Sequence, residues 1–289
     1  MKIKNYFKLA RIKHWLKNVL IFIPLVFGMQ ICDINKLRIT LIGTLSFCFI
    51  SSAVYIFNDI KDVENDRKHE IKKNRPIASG AVTVQEAIIL MIILVLSSLL
   101  INLLVIKNIY CVLILVIYLL LNIGYSCGLK NVPILDVVIL VSGFVLRVVY
   151  GANVTATELS KWLYLTIMSG SFFMGFGKRR NEILKQGNET RKVLKFYTKE
   201  YLDKFMYVCL ILTIVFYALW SIDATTISRL ETDYLAYTVP IVLVIFMKYC
   251  LNIEGESYGD PVDILTSDKI LMGLVLLFII IMLMLIYVL

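Results

Sequence analysis

Long apolar stretches broken by short polar punctuation dominate the chain. Uncharged or nearly uncharged runs cover Val19–Cys32, Ile39–Phe57, Ala87–Ile106, Asn108–Leu129 and Val132 to about Asn153, then Trp162–Gly177, Phe205–Ile222, Tyr234 to about Cys250, and Ile270–Leu289. Most approach the roughly 20 residues that an α-helix needs to cross about 30 Å of hydrocarbon. The pattern predicts an all-α, polytopic membrane protein with about nine transmembrane helices, a single integral membrane domain over 1–289. The first run follows a basic stretch, Lys2–Lys17, and is broken by Pro24 and Gly28 without a small-residue cleavage site. It reads as a retained first span and not a signal peptide.

Composition sharpens this reading. The 289 residues are 59% hydrophobic and 18% charged, against roughly 45–50% and 25% in soluble domains, which excludes an ordinary soluble enzyme. The net charge of +9 has a location: with the N-terminus cytosolic, 24 of the 30 Lys and Arg fall in inside segments and five in the short outside ones. That asymmetry predicts cytosolic segments at about 58–86, 126–132, 178–204 and 248–269, and an outside C-terminus in the cell membrane. The basic surplus is thus topological, and no nucleic-acid partner is called for. The six cysteines form no C-x-x-C pair and the two histidines, His14 and His69, are far apart, so neither a disulfide frame nor zinc hydrolysis is expected.

Nearly every polar cluster lies on the cytosolic side. After the second span the chain reads Asn58-Asp59-Ile60-Lys61-Asp62-Val63-Glu64-Asn65-Asp66. On a continuing helix Asn58, Asp62 and Asp66 rotate by only about 40° per step and line one face. Such hard oxygen ligands suit Mg²⁺ shared with a phosphate-bearing substrate, although a solvated helix end would carry similar acids. The basic run that follows ends at Lys72, Lys73 and Arg75 before Pro76; positive-inside topology explains several of these charges. Pro76 restricts Arg75 to extended backbone and so aims its guanidinium.

A second cluster is Tyr125-Ser126-Cys127-Gly128-Leu129-Lys130, then Pro133 and Asp136 at the start of the fifth span. Asp136 and Arg147 lie 11 residues apart, about 20° around a helix, and as intramembrane charges are expected to face a polar interior or to pair between helices. Small residues at 170, 171, 175 and 177 allow close helix approach before Lys178 and Arg179. The segment Lys185–Lys204 reads as an amphipathic surface on an anionic leaflet. Lys17 and Asn18 sit at the base of the first span.

These motifs, in this order, resemble the UbiA-type polyprenyl transferase superfamily, which carries an N-D-x-x-D-x-x-x-D segment after the second of about nine helices. The stretches His14–Asn18, Asn74–Gly80, Gly128–Lys130, Ser142–Arg147 with Gly151, Phe173–Arg179, and Gly259–Asp263 with Asp268 are similar to its bacterial decaprenyl-phosphate phosphoribosyltransferase branch. The resemblance implies helices around a central cavity. It also implies an Mg²⁺-dependent pentosyltransferase that uses polyprenyl phosphate and 5-phosphoribosyl 1-diphosphate and serves cell wall biosynthesis. Carried onto this sequence, it makes Asn58, Asp59, Asp62 and Asp66 metal-site residues, with Asp62 and Asp66 also catalytic. Lys17, Lys73, Arg75 and Lys130 would neutralise phosphate. Tyr125 and Asp136 would line the sugar side, and Arg147, Lys178 and Arg179 would meet a second phosphate. The second aspartate-rich motif of many members is replaced here by Tyr125–Lys130 and a single Asp136, which favours the sugar-diphosphate branch. Prenyl transfer to an aromatic or quinone-precursor acceptor is the alternative, and a transporter or scaffold is a third reading.

Overall fold

The computed structural model describes residues 2–186, 191–255 and 261–288, and every described element is helical. Helix α1 (Lys2–Leu9) leads into a 3₁₀ helix (Ile12–Phe22) and α2 (Ile23–Phe27). Then come α3 (Ile34–Lys61), α4 (Val63–Lys68), α5 (Val84–Ile101) with a π turn (Asn102–Ile106), α6 (Ile109–Cys127), α7 (Leu135–Thr155) and α8 (Lys161–Gln186). The chain continues with α9 (Lys199–Ile222), α10 (Ala224–Leu230), α11 (Val239–Glu254), α12 (Pro261–Ser267) and α13 (Lys269–Tyr287). Side-chain caps start several of them. Asp33 accepts from the Asn35 and Lys36 amides, Thr83 and Glu86 form a capping box, and Asp268 accepts from Ile270 and Leu271.

Among the described residues seven helices are long and apolar enough to cross a membrane, fewer than the nine expected. The two differences have physical causes. In α8 the apolar stretch runs straight into Lys178, Arg179 and Arg180, so the helix is long but its hydropathy is diluted. The first expected span is not one α-helix: eleven 3₁₀ residues precede five α residues. The larger 3₁₀ rise lets those two pieces together reach about 30 Å with fewer residues.

The chain divides into two compact units. The first comprises the N-terminal segment to Leu25, Asp33–Leu129 and Leu146–Thr157; the second comprises Val26–Cys32, Lys130–Val145 and the chain from Glu158 onward.

In the first unit Ile21, Phe47, Ile50, Val54, Leu115, Tyr118, Tyr150 and Val154 form the core, with the Phe47 ring 4.9 Å from Tyr118 and 5.3 Å from Tyr150. Several polar groups inside it pair between helices. Tyr150 donates to Asn102 Oδ1 (2.8 Å), Asn102 donates to Ser46 Oγ (2.7 Å), and Ser98 donates to the Ser46 carbonyl (2.9 Å). A smaller core of Leu9, Ile56, Ile77, Val82 and Ala87 seats the basic loop against α3 and α5.

One close approach requires glycine. A Cβ on Gly151 would lie 2.1 Å from the Ile21 carbonyl oxygen, a backbone atom that has no side-chain rotamer to move. Gly151→Ala is therefore expected to destabilise the first unit by about 1–3 kcal/mol or more, seen as a lower thermal midpoint in detergent. An unchanged midpoint would show that the 3₁₀ segment yields freely.

The second unit is built on Val137, Phe173, Phe176, Val193, Leu194, Met206, Tyr249, Ile253 and Leu271. The small residues of α8 do serve packing: Gly175 faces Val137, Gly177 faces Ile253 and Gly170 faces Thr213.

Candidate active site

The acidic segment begins in the last turn of α3, and the helix does not run on as the spacing predicts. It breaks at Asp62 (φ −96°, ψ 7°) and restarts as α4. Register survives the break, since the Asp62 amide donates to the Asn58 carbonyl (2.9 Å) and the Asp66 amide to the Asp62 carbonyl (2.8 Å). Asn58, Asp62 and Asp66 therefore remain at successive turns. The Asn58 amide oxygen accepts from the Ser126 hydroxyl, which ties the end of α6 to this segment. Tyr125 sits beside it, half-buried.

Asp59 does something the sequence did not show. It is buried, and its Oδ1 accepts from Arg11 Nη2 (2.5 Å) and Arg75 Nη1 (3.1 Å). The same Arg75 nitrogen donates to Asp66 Oδ2 at 2.7 Å. Arg75 has the extended backbone expected before Pro76 (φ −67°, ψ 147°), and Pro76 and Ile77 are buried beneath it, so the guanidinium is aimed at the acidic row. Arg11 has left-handed backbone (φ 51°) and lies 5.0 Å from the Tyr55 ring centroid. It belongs to a basic run that topology alone explains, so nothing in the sequence singled it out. Lys73 is exposed on the loop and Lys17 is half-buried on the 3₁₀ helix.

Arg147 is enclosed in the first unit. Its Nε donates to Asn18 Oδ1 (2.7 Å), its Nη2 to Tyr118 Oη (3.2 Å), and its carbon lies 5.0 Å from the Phe47 ring centroid and 5.2 Å from that of Tyr118. Two aromatic faces and an amide thus surround a charge that would otherwise be costly in hydrocarbon.

Lys130, Asp136, Lys178 and Arg179 belong to the second unit. Asp136 and Arg179 are fully buried and paired, Arg179 Nε to Asp136 Oδ2 at 2.6 Å. Arg179 also donates to Glu182 (2.6 Å), and Arg191 approaches Glu182 at 3.5 Å. Asp136 thus pairs between helices, with Arg179, one of the two arrangements expected of it, and both Asp136 and Arg147 are buried. Burial alone would raise the Glu182 pKa, but the Arg179, Arg191 and Lys178 charges outweigh it and hold the carboxyl below its usual range. Lys178 is half-buried, and Lys130 sits in the short 3₁₀ turn Leu129–Asn131 after Gly128, whose φ of 145° needs glycine. Of the late motif, Gly259 and Asp260 lie outside the described residues.

A multi-pass helical membrane protein with an oxygen-rich acidic row and aimed arginines at a helix end is the class that fold and site define. Residues 21–263 match the UbiA prenyltransferase family, and the chain belongs to that family, which makes it a membrane transferase. It is 34% identical to the decaprenyl-phosphate phosphoribosyltransferase of Corynebacterium glutamicum, over 97% of this chain and 86% of that protein. It is 30% identical to the protein of the same name from Mycolicibacterium smegmatis, over 93% of this chain and 88% of that one. In fold it is similar to a UbiA homolog from Archaeoglobus fulgidus solved with DMAPP and Mg²⁺ (TM-score 0.71, 22% identity, 99% and 100% of the two chains).

Proposed function

We propose that this chain transfers the 5-phosphoribosyl group of 5-phosphoribosyl 1-diphosphate to a polyprenyl phosphate. The ribose C1 bond to the diphosphate oxygen breaks, a bond from C1 to an oxygen of the lipid phosphate forms, and diphosphate leaves. The observation that carries this reading is identity of 30% or more to decaprenyl-phosphate phosphoribosyltransferases along more than nine-tenths of the chain. The sequence Tyr125–Lys130 with Asp136, in place of a second aspartate-rich motif, supports it.

The reaction calls for Mg²⁺, and the residues suit that ion. Asn58, Asp62 and Asp66 supply an amide oxygen and two carboxylates at successive turns, the hard donors this cation takes. Among the described residues no three His, Cys, Asp or Glu side chains gather into an all-protein cage. Mg²⁺ shared with substrate phosphates asks only for one or two carboxylates. When bound, the ion neutralises charge on the departing diphosphate. Arg75, Lys17, Lys73 and Lys130 would bind phosphate oxygens, with Arg75 turned toward the acidic row by Pro76, and Tyr125 would line the sugar side. Lys178 is assigned to a phosphate by the same motif. Asp136, Arg179 and Arg147 are almost wholly buried, whereas the paired Arg75 keeps contact with water, and these three would act by holding these elements. The positive-inside asymmetry supports a cytosolic N-terminus and site, with the C-terminus outside.

The test is the reaction itself. Purified protein with Mg²⁺, polyprenyl phosphate and labelled 5-phosphoribosyl 1-diphosphate should yield lipid-linked label, and chelation should abolish it. No lipid-linked label, together with alkylation of an aromatic acceptor by a prenyl diphosphate, would overturn the proposal in favour of ordinary prenyl transfer.

A further inference from the structure

Ile134 has left-handed backbone, with φ 69°. For a β-branched residue this is an outlier, and such strain persists only where the surroundings over-determine it. The residue is 54% exposed, so burial does not hold it there. A hydroxyl meets its amide. The Ile134 amide donates to Tyr197 Oη at 2.5 Å, and the Tyr197 hydroxyl donates to Asp136 Oδ1 at 2.7 Å.

Both partners of that hydroxyl are themselves fixed. Asp136 receives Arg179 on its other oxygen, and Tyr197 is buried in the core of the second unit next to Val193 and Leu194. Burial and the bond to Asp136 raise the phenol's pKa, so it remains a donor across the physiological range. The strained residue also begins a helix, its carbonyl accepting from the Val137 (3.0 Å) and Val138 (2.9 Å) amides at the start of α7. Just before it runs the turn that carries Lys130.

We infer that Tyr197 is a positioning residue: its hydroxyl pins Ile134 in the left-handed conformation, and the pinned turn sets Lys130 for phosphate. The inference rests on the reading above only in giving Lys130 a phosphate to meet. Tyr197 lies 61 residues from Asp136 in sequence, on the segment that follows α8, so that segment acts on the Lys130 turn through one oxygen atom.

Tyr197→Phe removes that oxygen and little else. Deuterium exchange of the backbone over 129–138 is expected to rise about tenfold, and the Kd for inorganic diphosphate to rise about tenfold, matching Lys130→Ala. In the transfer assay KM for the phosphoribosyl donor should rise by a similar factor with kcat changed less than about threefold. Ile134→Gly placed in the Tyr197→Phe background should recover part of the Kd and KM effects, because glycine adopts positive φ without steric penalty, while exchange stays raised because nothing pins the turn. A merely stabilising tyrosine would lower the thermal midpoint while leaving the Kd unchanged and the glycine rescue ineffective, and that result overturns the inference. So does unaltered exchange over 129–138 in Tyr197→Phe. Absence of phosphoribosyl transfer by the unmodified protein would instead remove the proposed activity, with exchange and diphosphate binding still deciding the role of Tyr197.

Discussion

Asp62→Asn is expected to lower phosphoribosyl transfer by about 10²- to 10³-fold, the several kcal/mol of transition-state charge stabilisation that a metal ligand helps to supply. The substitution isolates charge from shape. Asp62 sits where α3 ends, at φ −96° and ψ 7°, a conformation asparagine adopts readily, so the turn that joins α3 to α4 should persist. Thermal stability should then change little while the Mg²⁺ concentration for half-maximal rate rises. Measuring rate against Mg²⁺ alongside the thermal midpoint separates the two contributions. Activity within a factor of about two of the unmodified protein, at the same Mg²⁺ requirement, would remove Asp62 from the site and favour the transporter or scaffold reading.

The helices were legible because hydrocarbon imposes their length and apolarity directly on the sequence. Seven expected spans correspond to helices that meet that demand, and the exceptions are instructive. A 3₁₀ helix spans more distance per residue, which no count of apolar residues reveals, and Lys178 to Arg180 dilute α8, where Arg179 pairs with Asp136 and Glu182 and Arg180 with Asp203. The acidic row was legible through its spacing, and the extended backbone of Arg75 through Pro76. What stayed hidden were pairings over long separations. Arg11 reaches Asp59 across 48 positions and Tyr197 reaches Asp136 across 61, and neither arginine nor tyrosine differs locally from its many neighbours of the same kind. The common helix face of Asp136 and Arg147 left open whether each would face a polar interior or pair between helices. Partners on other elements decide what each charge meets, and helical periodicity carries no information about those partners.

Asp59 is where this difference has the largest measurable effect. Its place in the motif suggests a role in the metal shell, whereas its carboxylate is occupied by Arg11 and Arg75. Asp59→Asn keeps the volume and removes the charge that both guanidinium groups share. Breaking a buried pair costs about 3–5 kcal/mol, and because Arg11 and Arg75 keep some contact with water a smaller loss of about 1–3 kcal/mol in stability is expected. Arg75 would then be restrained by Asp66 alone, so KM for the phosphoribosyl donor should rise about tenfold. The Mg²⁺ concentration for half-maximal rate should stay within about twofold of the unmodified value, since Asn58, Asp62 and Asp66 all keep their oxygens and Asp66 keeps the Arg75 partner it already has. Arg11→Ala should reproduce the stability loss with a smaller effect on KM, because it leaves Asp59 holding Arg75. If Asp59→Asn instead raises the Mg²⁺ requirement as Asp62→Asn does, the carboxylate serves the cation and not the arginines. The two variants differ by three positions on one helix end, so comparing their Mg²⁺ curves assigns each acid to the charge it balances.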